Sequence, residues 1–269
     1  MYYAALALAI RIDQQFEERL NNIVASAGIK EEHAPVCIDT GTQAASSTSL
    51  LMQPHNYPGR LIAAEGLDGS GKSTQLRLLQ FWLQAEGYDV LLTGWTPSKL
   101  IRRALKTARK QDQVDPMLLS VLHAADFAGL YERDILPALQ RGIIVLADRY
   151  VYTALARDLA RSVERTWAEN LYRFAVRPDL GIYFQISAEQ SLERILSDHP
   201  RLKYYQAGMD MGLSLDPVAS FYEFQQRILL EYERLVEVYA LLRLDALLLI
   251  KQQQHLLREA VSKALPSKL

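Results

Sequence analysis

Nine consecutive residues, Gly66-Leu67-Asp68-Gly69-Ser70-Gly71-Lys72-Ser73-Thr74, complete the pattern G-x-x-x-x-G-K-[ST] and restrict this chain more than any other feature of it. Three glycines let the backbone turn back and approach an anion with no Cβ in the way, so that successive N–H groups point inward. The pattern requires a strand before it and a helix after it. Leu61-Ile62-Ala63-Ala64-Glu65 is a short apolar run, and residues 73–86 have helical character that ends at Gly87. A helix opening near Lys72 adds its positive end to the loop. A glycine-rich turn matching by accident is expected at roughly a few per thousand in a chain this long, and the flanking elements make it rarer. The reading is a phosphate-binding loop in which Lys72 bridges the β- and γ-phosphates of ATP and the Ser73 hydroxyl ligates Mg2+.

The alternation then repeats. Strands are expected near residues 89–93, 143–147, 180–187 and 241–244, and Asp115-Pro116 and Asp216-Pro217 each place an N-cap before a proline at the first helical position. Those caps open helices to about Gln140 and Tyr239. Apolar strands separated by helices predict an α/β chain with a parallel sheet covered on both faces. In such a sheet the carboxyl ends of the strands face the ligand crevice. Asp148-Arg149-Tyr150 follows the apolar run Ile143-Ile144-Val145-Leu146-Ala147, so Asp148 can hold magnesium through water and Arg149 can grip a phosphate with two parallel bonds. Alone, such a pair is more often an ordinary surface pair; beside a phosphate loop the functional reading prevails. The polar stretch Asp198-His199-Pro200-Arg201-Leu202-Lys203 joins two helices and is either a solvated loop or a basic lid over the phosphates.

Thirty Lys and Arg oppose thirty-one Asp and Glu among 269 residues, so the balance favours neither a nucleic-acid track nor an anionic membrane surface. Any anionic ligand must be met locally. The single cysteine, Cys37, has no intramolecular partner and no Cys/His company for a zinc site, which fits a reducing cytoplasm. Residues 1–10 are apolar but lack a basic leading region, and Arg11 and Asp13 end the run early, so no signal peptide is expected. Leu6, Ile10, Phe16, Leu20, Ile23 and Val24 recur at helical spacing, predicting an amphipathic helix over residues 4–27. From Gly28 to Gly59 small and polar residues take over, and a linker is expected there. The expected domains are therefore residues 1–55, an N-terminal helix with its linker, and residues 60–265, the kinase-like domain.

These segments together resemble the thymidylate kinase family of nucleoside monophosphate kinases. The resemblance begins at Glu65-Gly66-Leu67-Asp68-Gly69-Ser70-Gly71-Lys72-Ser73-Thr74-Gln75 and continues through Ala124-Ala125-Asp126, Ile135-Leu136-Pro137-Ala138-Leu139, Asp148-Arg149-Tyr150, Arg177-Pro178-Asp179-Leu180 and Asp245-Ala246. It implies a three-layer P-loop fold with a five-stranded parallel sheet, transfer of the ATP γ-phosphate to dTMP, and a homodimer. It also implies roles: Lys72 and the loop amides clamp the ATP phosphates, Asp68 faces the acceptor nucleotide, and Arg149 binds the acceptor phosphate. Asp245 and Ala246 lie near the adenine, and Arg201 or Lys203 serves the lid.

The departures from the family pattern fall on the acceptor side. Phe127 stands where the family has an arginine at the thymine edge, Thr93-Gly94-Trp95-Thr96-Pro97 replaces Thr-Arg-Glu-Pro, and Arg157 takes the place of the tyrosine that rejects ribose. A phenylalanine can stack on a base but cannot hydrogen-bond its edge, so weak discrimination among acceptors is expected. Two alternatives remain open at this point: a kinase of the same fold with another phosphorylated acceptor, and a non-catalytic ATP-dependent regulatory module. Retention of both Asp68 and Arg149 argues against the second.

Overall fold

The computed structural model describes residues 52–110, 115–199 and 201–265. The expected helix over residues 4–27, Cys37 and most of the expected linker lie outside the described residues, as does Pro200.

Five short apolar segments form one all-parallel sheet: β1 (Arg60–Gly66), β2 (Val90–Gly94), β3 (Ile144–Asp148), β4 (Leu180–Gln185) and β5 (Leu242–Asp245), in the order β2-β3-β1-β4-β5. Each lies within about two residues of the stretch that its apolar run and turn signals predict. The first crossover, from β1 past β3 to β2, runs one way along the sheet and the later crossovers run the other way. With right-handed connections this sends α1 (Lys72–Ala85) to one face and the helices after β2 to the opposite face. On the α1 face packs α9 (Ile250–Ala264). Opposite lie α3 (Pro116–Leu130), α5 (Val151–Ala160) and α8 (Pro217–Tyr239), with α5 and α8 in contact along their lengths. The smaller helices are α2 (Lys99–Lys110), α4 (Leu136–Gln140), α6 (Arg165–Leu171) and α7 (Ala188–Asp198). The core is continuous from Leu61, Ile62, Val145 and Leu146 on the sheet to Leu76, Leu79 and Leu83 of α1 and Ile228, Tyr232 and Leu235 of α8.

Both proline caps are formed. The Asp115 carboxylate accepts from the Leu118 amide at 2.7 Å, and that of Asp216 accepts from the amides of Val218 and Ala219 at 3.3 and 3.2 Å. The helix expected from residue 116 to Gln140 is interrupted by one π turn, Tyr131–Ile135. Its physical reason is Pro137, which has no amide to donate and whose ring conflicts with the carbonyl one turn earlier; the wider turn absorbs the mismatch.

Register decides what meets at the carboxyl edge of the sheet. Ala64 pairs with Asp148, Gly66 with Phe184 and Gln185 with Asp245, so the loops after β1, β3 and β5 emerge side by side. Gly66 shows why glycine is needed there: its φ is +135°, and a Cβ would sit 2.6 Å from the Phe184 carbonyl oxygen.

Residues 52–59, expected as part of the linker, are integrated into the domain. Met52 is fully buried in the core. The Gln53 carbonyl accepts from the Arg177 amide at 2.8 Å, and the Gly59 amide donates to the Leu139 carbonyl at 2.9 Å. His55 pairs with Asp179 at 3.1 Å. A chain starting at residue 51 is therefore expected to keep its fold, whereas one starting at residue 60 should melt about 5–10 °C lower, the combined effect of one lost core side chain and its adjoining hydrogen bonds. Thermal melting of the two truncations checks this; equal midpoints would show that the segment adds nothing.

Candidate active site

The loop between β1 and α1 uses three left-handed or near-left-handed glycines, with φ of +135° at Gly66, +75° at Gly69 and +83° at Gly71, the last being the N-cap of α1. The Ser191 hydroxyl fixes it from α7 by donating to the Asp68 carbonyl at 2.8 Å, and Arg194 donates to the Gly69 carbonyl at 3.1 Å. Lys72 is only 5% exposed. Its Nζ donates to the Leu67 carbonyl at 3.2 Å, closing the loop on itself. Burial first, and then the neighbouring Arg149 guanidinium, bring its pKa down to about 8. An arriving phosphate would relieve both effects by supplying the missing negative charge.

At the end of β3 the Asp148 carboxylate accepts a short hydrogen bond from the Ser73 hydroxyl. These two oxygens, one from the loop and one from the neighbouring strand, would occupy two of the six positions of an octahedral magnesium shell of the type completed by substrate phosphates and water. Among the described residues no group of three or more His, Cys, Asp or Glu side chains could hold a metal without such help. The residues present thus fit a magnesium ion that enters with the nucleotide.

Arg149 follows with a φ of +77°, a left-handed conformation that costs a non-glycine residue about 1–3 kcal/mol. Two bonds hold the turn there: the Arg149 amide donates to the Ala64 carbonyl at 3.0 Å and the Tyr150 amide to Glu65 Oε1 at 2.8 Å. Glu65 is fully buried and also accepts from the hydroxyls of Thr153 and Tyr232. Burial raises its pKa to about 7 against the opposing pull of Thr153, Tyr150 and Arg149. In this strained turn the Arg149 guanidinium reaches the Asp68 carboxylate in a short ion pair. It also donates to the Gly66 carbonyl at 3.4 Å and the Thr153 hydroxyl at 3.3 Å.

Asp68 is the hub. Arg157 of α5 stands 3.9 Å from the same carboxylate oxygen as Arg149, and Gln206 donates to the other oxygen at 2.6 Å. Burial alone would raise the Asp68 pKa, but Arg149, Arg157 and Lys72 hold the carboxyl well below the usual range. It is a carboxylate at any working pH. Three cations thus converge on one anion beside the phosphate loop, an arrangement that a second phosphate can enter by sharing the guanidiniums.

The remaining sequence-derived candidates divide. Asp245 and Ala246 lie at the end of β5, where the Ala246 carbonyl accepts from Arg194 at 3.1 Å. Arg194 thereby ties them to the phosphate loop, a link that one basic residue in an amphipathic helix does not advertise in sequence. Arg201 and Lys203 are exposed, and the segment reaches the loop through the neutral amide of Gln206 instead. What anchors the segment is Arg161, whose guanidinium bonds Asp210 at 2.7 and 3.3 Å and the Tyr205 carbonyl at 3.3 Å while lying 4.4 Å over the Phe224 ring. Arg161→Ala strands the Asp210 carboxylate, and breaking a buried pair from one side costs about 3–5 kcal/mol. The expected result is a lower melting temperature together with faster amide exchange over residues 204–212; unchanged exchange would separate Arg161 from the segment.

Phe127 is fully buried. Its ring packs 4.7 Å from Trp95, 5.2 Å from Tyr150 and 6.0 Å from Tyr172. Around that cluster Trp95 and His123 are half-buried and Phe174, 6.0 Å from Phe127, is exposed, so they, rather than Phe127, carry its open sides. Trp95 also joins the cluster to the site, because its amide donates to the Asp148 carbonyl at 3.2 Å.

This geometry can be set beside known proteins. The family profile described as Thymidylate kinase matches residues 64–210, which include the phosphate loop, Asp148, Arg149 and the Gln206 segment. The chain belongs to the thymidylate kinase family. It is 41% identical over 179 residues to the probable thymidylate kinase 2 of Saccharolobus solfataricus, covering 66% of this chain and 84% of that one. To the probable thymidylate kinase of Thermococcus onnurineus it is 37% identical over 192 residues, covering 68% and 87%. The corresponding Pyrococcus horikoshii protein is 40% identical over 143 residues, 51% of this chain and 70% of that one. As a member of the thymidylate kinase family the chain is an ATP-dependent phosphotransferase with a P-loop α/β fold. Among the described residues no helix is long and apolar enough to cross a membrane.

Proposed function

We propose that the chain transfers the γ-phosphate of ATP to dTMP, giving dTDP. The observation that carries this reading is the convergence of Lys72, Arg149 and Arg157 on Asp68, which joins a phosphate loop to a second, guanidinium-lined anion position. A pure nucleotide sensor has no use for the second position.

In this reading residues 66–74 wrap the ATP phosphates with their amides, and Lys72 exchanges the Leu67 carbonyl for phosphate oxygens. Ser73 and Asp148 would hold magnesium, which supplies charge neutralisation between the β- and γ-phosphates. Arg149 and Arg157 orient the acceptor phosphate toward the γ-phosphorus, and Asp68 keeps both guanidiniums poised before it arrives. Asp245 and Ala246 lie beside the adenine, and the segment containing Arg201, Lys203 and Gln206 closes over the phosphates to exclude water. A homodimer and a place in the cytoplasmic nucleotide pool belong to the same proposal. Supplying MgATP with dTMP, dUMP, UMP, dCMP, dAMP or dGMP in turn and measuring ADP release tests it. Fastest turnover with dTMP is expected; release that no nucleoside monophosphate accelerates would overturn the reading.

A further inference from the structure

Behind the half-buried His123 and Trp95, three helices bring together polar atoms that have nothing to bond. Asp158 of α5 is 1% exposed, yet neither carboxyl oxygen has a hydrogen-bond partner among the described residues. Ser120 of α3 and Tyr172, at the end of α6, are fully buried, and their hydroxyls also lack partners among the described residues. These groups are neighbours: the Ser120 hydroxyl is close enough to lower the Asp158 pKa, though not in hydrogen-bond geometry, and the Tyr172 phenol is raised by burial and then by the Asp158 charge. No ion pair accounts for the carboxyl. Arg161 is committed to Asp210, and Arg157, one residue before, leans toward Asp68. Burying polar groups unpaired lowers stability, and a fold that keeps three of them together usually has a use for them.

Their location suggests the use. The helix that carries Asp158 starts at the Asp148-Arg149 turn and also carries Arg157. Trp95 bonds the Asp148 carbonyl on one side, while its ring lies 6.4 Å from His123 and 6.3 Å from Tyr172 on the other. Through Trp95 the cluster therefore adjoins the Asp148-Arg149 turn, from which an acceptor nucleotide must extend.

We propose that Asp158, with Ser120 and Tyr172, reads the hydrogen-bonding edge of the acceptor's pyrimidine base. This rests on the nucleotide-acceptor reading above and deepens it: Asp158 supplies the hydrogen-bonding chemistry that Phe127 lacks. Burial, against the pull of Ser120, Arg161 and Arg157, raises the carboxyl pKa to about 7, so the neutral acid is well populated near neutrality. A neutral carboxyl offers one acceptor beside one donor, the complement of an imide edge in which N–H stands beside C=O, as in thymine and uracil. The two hydroxyls adapt as donor or acceptor to what the base leaves over. His123, whose pKa is pushed down to about 3 by burial and by the Arg157 and Arg161 charges, is held neutral and offers a flat ring without adding a third cation.

The test compares the full chain with Asp158→Leu and Asp158→Asn, using MgATP with dTMP, UMP and dCMP and measuring thermal melting alongside. Leucine keeps the volume and removes both hydrogen bonds. It should lower kcat/KM for dTMP about 100-fold, chiefly through the dTMP KM, with the ATP KM unchanged. Its melting temperature should equal or exceed that of the parent, because an unpaired buried carboxyl has been removed. Asparagine, which keeps a donor beside an acceptor, should recover most of the dTMP kcat/KM that leucine loses. Leucine kinetics within twofold of the parent would overturn the inference. So would a leucine variant that melts lower or does not fold, since Asp158 would then have a structural partner. If the parent itself phosphorylates no nucleoside monophosphate, the function reading fails and this inference with it; if the parent uses dTMP and the variants match it, only the inference fails.

Discussion

Lys72→Ala is expected to lower kcat by about 10³-fold or more, the scale on which preorganised charge at a phosphoryl-transfer site acts. The structure sharpens the argument for where the loss arises. Lys72 is buried and bonded to the Leu67 carbonyl, so its ammonium already stands inside the loop rather than folding in from solvent. The charge that develops on the transferred group would meet it at almost no cost in reorganisation. Removing it also leaves the Leu67 carbonyl without that donor, a penalty of about 1 kcal/mol or somewhat more. Against this, a cation whose burial already depresses its pKa no longer has to be desolvated. The melting temperature should therefore move by only a few degrees while turnover collapses. Phosphoryl transfer and melting measured on one preparation decide it. Near-parental turnover would remove the phosphate loop from the mechanism, and a large fall in melting temperature would show that the lysine supports the fold instead.

The elements that sequence revealed are those fixed by local chemistry. Gly66, Gly69 and Gly71 are needed because the backbone there takes positive φ, and Asp115 and Asp216 are needed because the first amides of two helices require an acceptor. Such demands fall on single residues and leave a mark at single positions. The sheet followed because each apolar run is short and bounded by turns. What escaped the sequence is what the fold assembles from distant parts. Arg194 bonds the Gly69 carbonyl from α7, Gln206 bonds Asp68, and Arg161 holds Asp210, none of them within a local pattern. Charge drew attention to Arg201 and Lys203, but the group that reaches Asp68 from that segment is an uncharged amide. Met52 looked like the end of a linker because one apolar residue among polar neighbours carries no periodicity, and only the packing shows it in the core. Phe127 could be aligned with a base-reading position, but nothing in the sequence could tell that five other aromatic rings would surround it.

Arg149→Lys should be nearly as damaging as Arg149→Ala, although it keeps the charge. The guanidinium spans three acceptors in different directions: the Asp68 carboxylate, the Gly66 carbonyl and the Thr153 hydroxyl. An ammonium is a point charge on a flexible stem and cannot hold these three acceptors in place or present parallel N–H bonds to an arriving phosphate. The backbone adds to the argument. Residue 149 keeps a φ of +77°, held by the bonds of the Arg149 and Tyr150 amides to Ala64 and Glu65, and lysine inherits that strain without the side-chain contacts that go with it. With the guanidinium gone, Asp68 is left to Gln206 and to the more distant Arg157, so the acceptor position loses its order as well as its main donor. The expected result is a fall in acceptor kcat/KM of about 10²–10³-fold, the magnitude of a misplaced reactant, with the ATP KM changed by no more than a few-fold because Lys72 and the loop amides are untouched. Steady-state kinetics with each substrate varied in turn separates the two sides of the site. If the lysine variant keeps a third or more of the parental kcat/KM, charge alone suffices at this position and the paired geometry of Arg149 is not what the reaction uses.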